Sequence, residues 1–522
     1  MGIYLNPGSD KFLMDKRSEI YIDKSGMLTY LNSCVQTANR FICVSRPRRF
    51  GKSMAANMIA AYYDRTVEAA DLFRGMEISK APSAWGHCGK YDVIQLNMQD
   101  FLSKKPDVDD LLALLRKSIL WDLMEEYPDY RYFDPDDLER TMSEIYSKTK
   151  RPFVIVIDEW DCIFREYGER KDWQEKYLDF LRAWLKDKAY VGLAYMTGIL
   201  PIKKYGTHSA LNMFTEFSMT NAGPMASFVG FTEAEVRNLC DAYQMDFEEC
   251  KRWYDGYHFD EIGSIYNPRS VVQSMRFHKF DTYWNKTETF EALKIYIDMN
   301  YDGLREAVIA LMSRERISVD TGSFSNDMTT FHDMDDVLTL LVHLGYLGYH
   351  FTEGDVFIPN HEIMKEYVNA TKSGDWGIVT EAIRKSEALL QATLEKDSEA
   401  VAKGVETAHF ETSHLQYNDE NALSYTLSLA YYAARQKYMI VREFPGGKGF
   451  ADLLFLPRAK YAALPALLIE LKWNESSITA LDQIKKKKYP KALENYDGKL
   501  LLVGISYDKK SREHSCIIEE YR

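Results

Sequence analysis

The segment SRPRRFGKS (Ser45–Ser53) ends in Gly51, Lys52 and Ser53, the closing positions of the phosphate-loop pattern GxxxxGK[ST]. Arg46 stands where that pattern has its first glycine. The chemistry asks for a turn whose backbone N–H groups point at phosphates from the positive end of a helix. Gly51 allows close backbone approach, Lys52 reaches the β- and γ-phosphates of a nucleotide, and Ser53 holds Mg²⁺. Arg48 and Arg49 add positive charge beside the same loop. The apolar run FICVS (Phe41–Ser45) supplies the strand that such a loop leaves.

A phosphate loop needs an acid at the end of a second buried strand. FVIVIDEWD (Phe153–Asp161) provides Asp158, expected to bind Mg²⁺ through water, and Glu159, expected to polarise the attacking water. The same two residues would also serve as an ordinary helix N-cap. One strand candidate, Val93–Met98, lies between the two motifs, so the acidic strand is third in sequence. This suits the P-loop class with an added strand and a catalytic glutamate. The following strand ends at Thr197, placed to sense the terminal phosphate. Arg165 and Arg182 are candidates for a charge-stabilising arginine, and the sequence does not select between them.

A second set lies near the C-terminus. FADLLFL (Phe450–Leu456) carries Asp452, and LLIELKW (Leu467–Trp473) carries Glu470 and Lys472. Alternate strand residues share a face, so Glu470 and Lys472 project together, and an adjacent antiparallel strand can bring Asp452 to them. Two carboxylates at one point repel unless a cation sits between them, and oxygen ligands suit Mg²⁺ or Mn²⁺. A neighbouring lysine can orient water and balance charge on a phosphodiester. An E-x-K strand with one solvated face is the ordinary alternative, but this strand is otherwise very apolar, so its charges need a reason. Glu420, at the start of an expected helix, is either a third metal-facing acid or a dipole-favoured N-terminal acid. Gln483 and the run Lys485–Lys488 follow on a later helix; the run either meets a nucleic-acid backbone or forms a solvated face.

These residues require an α/β framework. The apolar runs at 41–45, 93–98, 153–157, 191–196 and 217–220 alternate with helix-period stretches such as Val108–Glu126, which predicts a parallel sheet covered by helices over 1–225. Residues 226–375 turn helical and aromatic, with no further buried strand expected until about Leu338. There LLVHLGYLGYHF and GDVFIPN predict a helix leading into a two-stranded hairpin, suiting a lid or winged region. A long helix, Trp376–Lys396, opens the last part, 376–522. This part reads αβββαβ: a helix over Asn421–Gln436, strands at 439–443, 451–456 and 466–471, a helix over Ile478–Asn495, and a strand at 499–505.

Composition sets the bounds. The 522 residues, 46% hydrophobic and 27% charged, suit two to four globular domains and exclude wholesale disorder. No apolar run approaches the ~18–20 residues that cross a bilayer. The start, MGIYLNPGSDKF, lacks a signal peptide's basic and apolar regions. Seven scattered cysteines without a CxxC pair support neither a zinc site nor a disulfide framework. A cytoplasmic protein is expected. The net charge of −13 argues against a generally basic nucleic-acid coat but not against a local basic groove.

Taken together, these motifs resemble the bacterial family that joins an AAA-ATPase-like P-loop domain to a C-terminal PD-(D/E)XK nuclease-superfamily domain. The resemblance rests on YIDKSGML (Tyr21–Leu28), SRPRRFGKS and VIVIDEWD. It continues through VGFTEAEV (Val229–Val236), WYDGYHF (Trp253–Phe259), IYNPRSV (Ile265–Val271) and LGYLGY…FIPNHE (Leu344–Glu362). It implies nucleotide contact by Gly51, Lys52 and Ser53, with Mg²⁺ and hydrolysis roles for Asp158 and Glu159, and it makes Arg46 the usual form of the loop. It implies Asp452, Glu470 and Lys472 as a nuclease core in a restriction-endonuclease-like domain, with Glu420, Gln483 and Tyr489 in support. One departure is GKGFAD, where Phe450 replaces a common arginine. Trp253, Tyr254, Tyr257 and Tyr266 could stack bases, but packing between a lid and the ATPase core is the favoured role.

The resulting expectation is an ATP-binding, ATP-hydrolysing protein whose C-terminal domain cuts nucleic acid, DNA before RNA, with Mg²⁺ or Mn²⁺. A homo-oligomer is compatible with it, and no membrane partner is expected. Two rivals stay open at this point: a nucleotide-switched scaffold whose C-terminal domain binds without cutting, and an ATPase whose C-terminal domain only stabilises an oligomer.

Overall fold

A computed structural model describes residues 2–105, 107–202, 211–284, 291–299, 301–325, 328–371, 375–412, 427, 430–431, 434, 437–446, 449–458, 461–487, 496, 498–511 and 513–521. Its contacts divide the chain into two units, 1–307 with 316–367, and 308–315 with 368–522.

In the first unit, β1 (Phe41–Ser45), β2 (Asp92–Asn97), β3 (Phe153–Asp158), β4 (Val191–Gly198) and β5 (Thr215–Phe217) form one parallel sheet in the order β2-β3-β4-β1-β5. β1, β3 and β4 are buried along their whole length, which explains their unbroken apolar runs. The added strand is therefore β4, wedged between the phosphate-loop strand and the acidic strand. The fifth strand lies slightly earlier than the sequence suggests. Thr215, Glu216 and Phe217 pair with β1, and then Ser218 N–H donates to the Asn221 carbonyl at 2.8 Å and turns the chain.

The middle region departs from expectation in holding strands before Leu338. β6 (Phe231–Thr232), β7 (Tyr257–Phe259) and β8 (Gly263–Tyr266) make an antiparallel sheet, order β6-β8-β7. Two to four residues are too short to show an alternation, so pairing alone reveals them. β9 (Ile317–Ser318), β10 (Gly348–His350) and β11 (Asp355–Phe357) form a second small sheet, order β10-β11-β9. β10 and β11 are the expected hairpin. The helix Met334–Leu344 precedes it and stops at Gly345, whose φ of +90° is the left-handed cap that glycine provides. Trp253, Tyr254, Tyr257 and Tyr266 are all buried here, and Tyr257 donates its hydroxyl to the Gly345 carbonyl at 2.6 Å.

The second unit holds β12 (Tyr438–Gly446), β13 (Gly449–Pro457), β14 (Ala466–Trp473), β15 (Leu500–Asp508) and β16 (Glu513–Glu520), a mixed sheet in sequence order. Only β14 and β15 run parallel, joined by the helix Ser477–Lys486. Apolar layers lie on either side of it, one including Val401, Tyr431 and Ile469, the other Leu454, Leu481 and Leu502. The edge strand β16 was not expected, because EHSCIIEE is charged at both ends and only partly buried. The helix expected over Asn421–Gln436 lies almost wholly outside the described residues, as do positions 488–495 of the expected helix Ile478–Asn495. The helix Asp375–Leu394 matches the long expected one, and no described helix is long and apolar enough to cross a membrane.

Gly256 has a φ of +106°, and a Cβ there would lie 2.0 Å from the Pro359 carbonyl oxygen. Gly75 has a φ of +80° with nothing within 4 Å. Gly256→Ala is therefore expected to destabilise the first unit by about 2–4 kcal/mol, and Gly75→Ala by about 1 kcal/mol. Urea denaturation of the two variants checks the difference.

Candidate functional site

β1 runs into the phosphate loop, and the helix Lys52–Tyr63 begins at its end with Gly51 as the N-cap residue. Gly51 has a φ of +94°, and a Cβ on it would meet nothing within 4 Å, so the loop is open on the side where a phosphate would approach. Lys52 is buried, and its ammonium donates to the Pro47 carbonyl at 3.0 Å. Ser53 Oγ donates to Asp158 Oδ2 at 2.6 Å, joining the two halves of the site. Burial raises the Asp158 carboxyl to about 6, against the opposite effect of the Ser53 hydrogen bond. The loop opens into a cleft of about 1040 Å³ whose walls include Arg48, Arg49, Lys52, Ser53, Glu159 and Arg165.

Glu159 takes a left-handed backbone, φ +53°, and its carboxylate is ion-paired with Arg165. Arg165 also meets Asp161 Oδ2 at 3.2 Å. That oxygen accepts the Ile199 and Leu200 N–H groups at 3.0 and 2.8 Å, tying the turn after β3 to the end of β4. Of the two arginines left open by sequence, Arg165 lines the cleft, while Arg182 is exposed on the helix Lys171–Leu185.

Two expected nucleotide contacts sit elsewhere. Arg46 is fully buried; it donates to the Ser45 and Phe217 carbonyls at 2.9 and 3.2 Å and lies over the Phe259 ring at 4.7 Å. Because successive side chains leave a strand end in opposite directions, Arg46 enters the protein while the loop beyond it turns outward. Thr197 is also buried, and its hydroxyl donates to the Val44 carbonyl at 2.9 Å, within the sheet.

Three residues not singled out by sequence hold the loop from outside. Trp284 Nε1 and Asn267 Nδ2 donate to the Arg48 carbonyl at 3.3 and 3.4 Å. Asn267 also caps the helix Pro268–Phe277, accepting the Ser270 N–H at 3.2 Å. An Asn before a Pro at a helix start was the available signal. Glu362 is buried, and its carboxylate accepts the Tyr283 and Trp284 N–H groups at 2.6 and 2.9 Å.

In the second unit, β13 and β14 pair Leu453 with Ile469, and continuing that register sets Asp452 across from Glu470. Asp452 Oδ2 accepts the Leu471 N–H at 2.7 Å. Lys472 Nζ lies 3.4 Å from Glu470 Oε1 and donates to the Leu471 carbonyl at 2.9 Å. Gln483 also donates to Glu470 Oε1. Glu470 Oε2 is buried and has no partner among the described residues. Burial and then Asp452 push Glu470 up to about 7, against Lys472 and Lys487. Lys487 is thus the member of the lysine run that reaches the site electrostatically, whereas Lys485 is engaged with Glu519 at 2.6 Å. Glu420 and Tyr489 lie outside the described residues.

Comparison with known proteins agrees with this division. Residues 10–207 match the family described as predicted AAA-ATPase, and residues 420–516 match the PD-(D/E)XK nuclease superfamily. An uncharacterized protein in the vnfD 5′ region of Azotobacter chroococcum is 22% identical over 280 residues, 52% of this chain; the match covers about half, 51%, of that relative's length. Among solved structures, the ORC2 protein of Aeropyrum pernix with ADPNP and ADP is 11% identical, with 70% of this chain and 97% of that one covered and a TM-score of 0.30. Cdc6p from Pyrobaculum aerophilum is 9% identical, with 70% and 98% covered and a TM-score of 0.23.

Glu362 gives a pH prediction. Burial raises its carboxyl from 4.5 to about 7 in the folded protein. The unfolded chain therefore releases this proton first, and the contribution to stability, full below pH 4.5, is lost as pH rises through 7. Denaturant titrations from pH 4 to 8 should show this decline in the first unit, and Glu362→Gln should flatten it.

With both sites described, the chain joins a segment that matches the predicted AAA-ATPase family, residues 10–207, to a C-terminal segment that matches the PD-(D/E)XK nuclease superfamily, residues 420–516.

Proposed function

We propose that this protein binds and hydrolyses ATP in the first unit and cleaves phosphodiester bonds of nucleic acid, DNA before RNA, in the second. The observation that carries this is shared by both sites: a carboxylate buried in an apolar strand, raised toward neutrality, with a lysine acting on it. Keeping such a charge costs stability, and a cation or phosphate is what makes it useful.

In the first site Ser53 and Asp158 would hold Mg²⁺, which shields the triphosphate. The fit is supported by their hydrogen bond across the cleft floor and by the open face of Gly51. Lys52 leaves the Pro47 carbonyl to meet the phosphates. Glu159, once released from Arg165, accepts a proton from the attacking water, and Arg165 is then free to face the developing negative charge.

In the second site the unpartnered Glu470 Oε2 and the facing Asp452 form a hard-oxygen pair fit for Mg²⁺ or Mn²⁺. The ion would supply Lewis-acid activation of water and phosphate. Lys472 orients the water and offsets charge on the phosphodiester, Gln483 fixes the Glu470 carboxylate, and Lys487 adds attraction for the backbone.

The test is cleavage of labelled DNA and RNA by the full chain, with Mg²⁺ or Mn²⁺, with and without ATP. Lys472→Ala should lower cleavage at least a hundredfold and leave nucleic-acid binding intact. Glu159→Gln should retain ATP binding and lose at least 99% of hydrolysis. Wild-type protein that binds DNA and RNA without cutting either would replace this function with a nucleotide-switched binder.

A further inference from the structure

The helix Pro268–Phe277 forms one wall of the first unit's cleft. Its cleft residues include Arg269, Val272, Gln273 and Arg276, at the three- and four-residue spacing of one helix face. Val271 and Met275, on the opposite face, belong to the apolar core. The two ends of the stripe differ. Arg269 lies near Arg49 of the phosphate loop and, after burial, is what lowers that arginine's pKa. Arg276 is paired with Glu19 at 2.9 Å. Gln273 is four residues beyond Arg269, about 6 Å along the helix, and so stands past the phosphate end.

Ile20, Ile22, Phe231 and Val272 line the same cleft and pack in one cluster, with Glu19 and Lys24 also on the cleft walls. Gln273 itself is only 8% exposed, yet its amide makes no hydrogen bond with any described residue. Its polar atoms are not among those sealed from solvent, so the amide opens onto the cleft. A donor and an acceptor on an otherwise buried side chain, open to the cleft, are available to a ligand that enters it.

We propose that Gln273 reads the nucleobase of the bound nucleotide, and that the base is adenine; this rests on the nucleotide site proposed above. The Gln273 carbonyl accepts from the exocyclic amino group of adenine, and its NH₂ donates to the adjacent ring nitrogen, the two-bond pairing that a glutamine amide makes with adenine. Guanine carries a carbonyl oxygen where adenine has the amino group, so the Gln273 carbonyl would face a second acceptor. Gln273 is in this sense a specificity-determining residue, separate from the phosphate machinery.

The experiment measures Kd for ATP, GTP and purine riboside triphosphate, which lacks the exocyclic amino group, with the full chain as wild type, Gln273→Met and Gln273→Asn. Wild type should prefer ATP over both others by about tenfold. Gln273→Met should erase that preference by weakening ATP about tenfold more than purine riboside triphosphate, which loses only the bond to its ring nitrogen. Should the Met variant fail to fold, Gln273→Asn, one methylene shorter, should show the same loss. Equal binding of all three nucleotides by wild type, or an ATP preference that survives in a folded variant, overturns the role of Gln273 and leaves the nucleotide site standing. Wild type that binds none of the three overturns the nucleotide site itself, and Gln273 with it.

Discussion

One row of the parallel sheet fixes the first site. Asp158 of β3 pairs in register with Thr197 of β4, and Thr197 pairs with Val44 of β1. Parallel strands end on one edge, so this row sets the acid of β3 level with the loop that leaves β1. The Ser53–Asp158 hydrogen bond spans the gap that β4 creates. Asp161 completes the edge by capping the Ile199 and Leu200 amides, and through Arg165 it also reaches Glu159. A slip of β4 by one residue would turn Thr197 to the other face and break the row.

The second unit brings carboxylates and a lysine together by another geometry. Its acids face each other across an antiparallel pair, β13 and β14, and its lysine is two residues beyond Glu470 on the same strand face. Glu470 is held on one oxygen by Gln483 and left unsatisfied on the other. A buried carboxylate oxygen without a hydrogen-bond partner lowers stability. Gln483 comes from the helix that connects β14 to β15, so the crossover that makes these two strands parallel also delivers the site's orienting amide.

Between strand ends and helices, the middle of the chain acts on the phosphate loop through main-chain atoms. Trp284 and Asn267 converge on the Arg48 carbonyl, Gly345 leaves room for Pro47, and the Phe50 ring meets Tyr257 edge-on at 5.2 Å. Of the aromatic motif residues, Tyr257 packs against the loop and is buried and bonded, while Trp253, Tyr254 and Tyr266 belong to a neighbouring apolar cluster. Glu362, by holding the Trp284 backbone, supports the loop at second hand.

The sequence by itself pointed to the candidate residues whose chemistry is local. Gly51, Lys52 and Ser53 are contiguous, Asp158 and Glu159 end an apolar run, and Glu470 and Lys472 obey the strand period, so type and spacing were enough to single them out as candidates. The positions of most strands along the chain were legible for the same reason, since burial on both faces writes an unbroken apolar run. The tertiary structure decided everything that depends on direction or on distant partners. Arg46 and Thr197 carry suitable chemistry, but their side chains leave the strand ends toward the interior, and no linear pattern records that choice. Asn267, Trp284, Glu362 and Gln273 are far from the loop in sequence, and each gains its place through hydrogen bonds or a helix face that only the fold supplies. Short strands such as β6 and β7 exist only through pairing, because two or three residues cannot bury enough surface to mark themselves in the sequence.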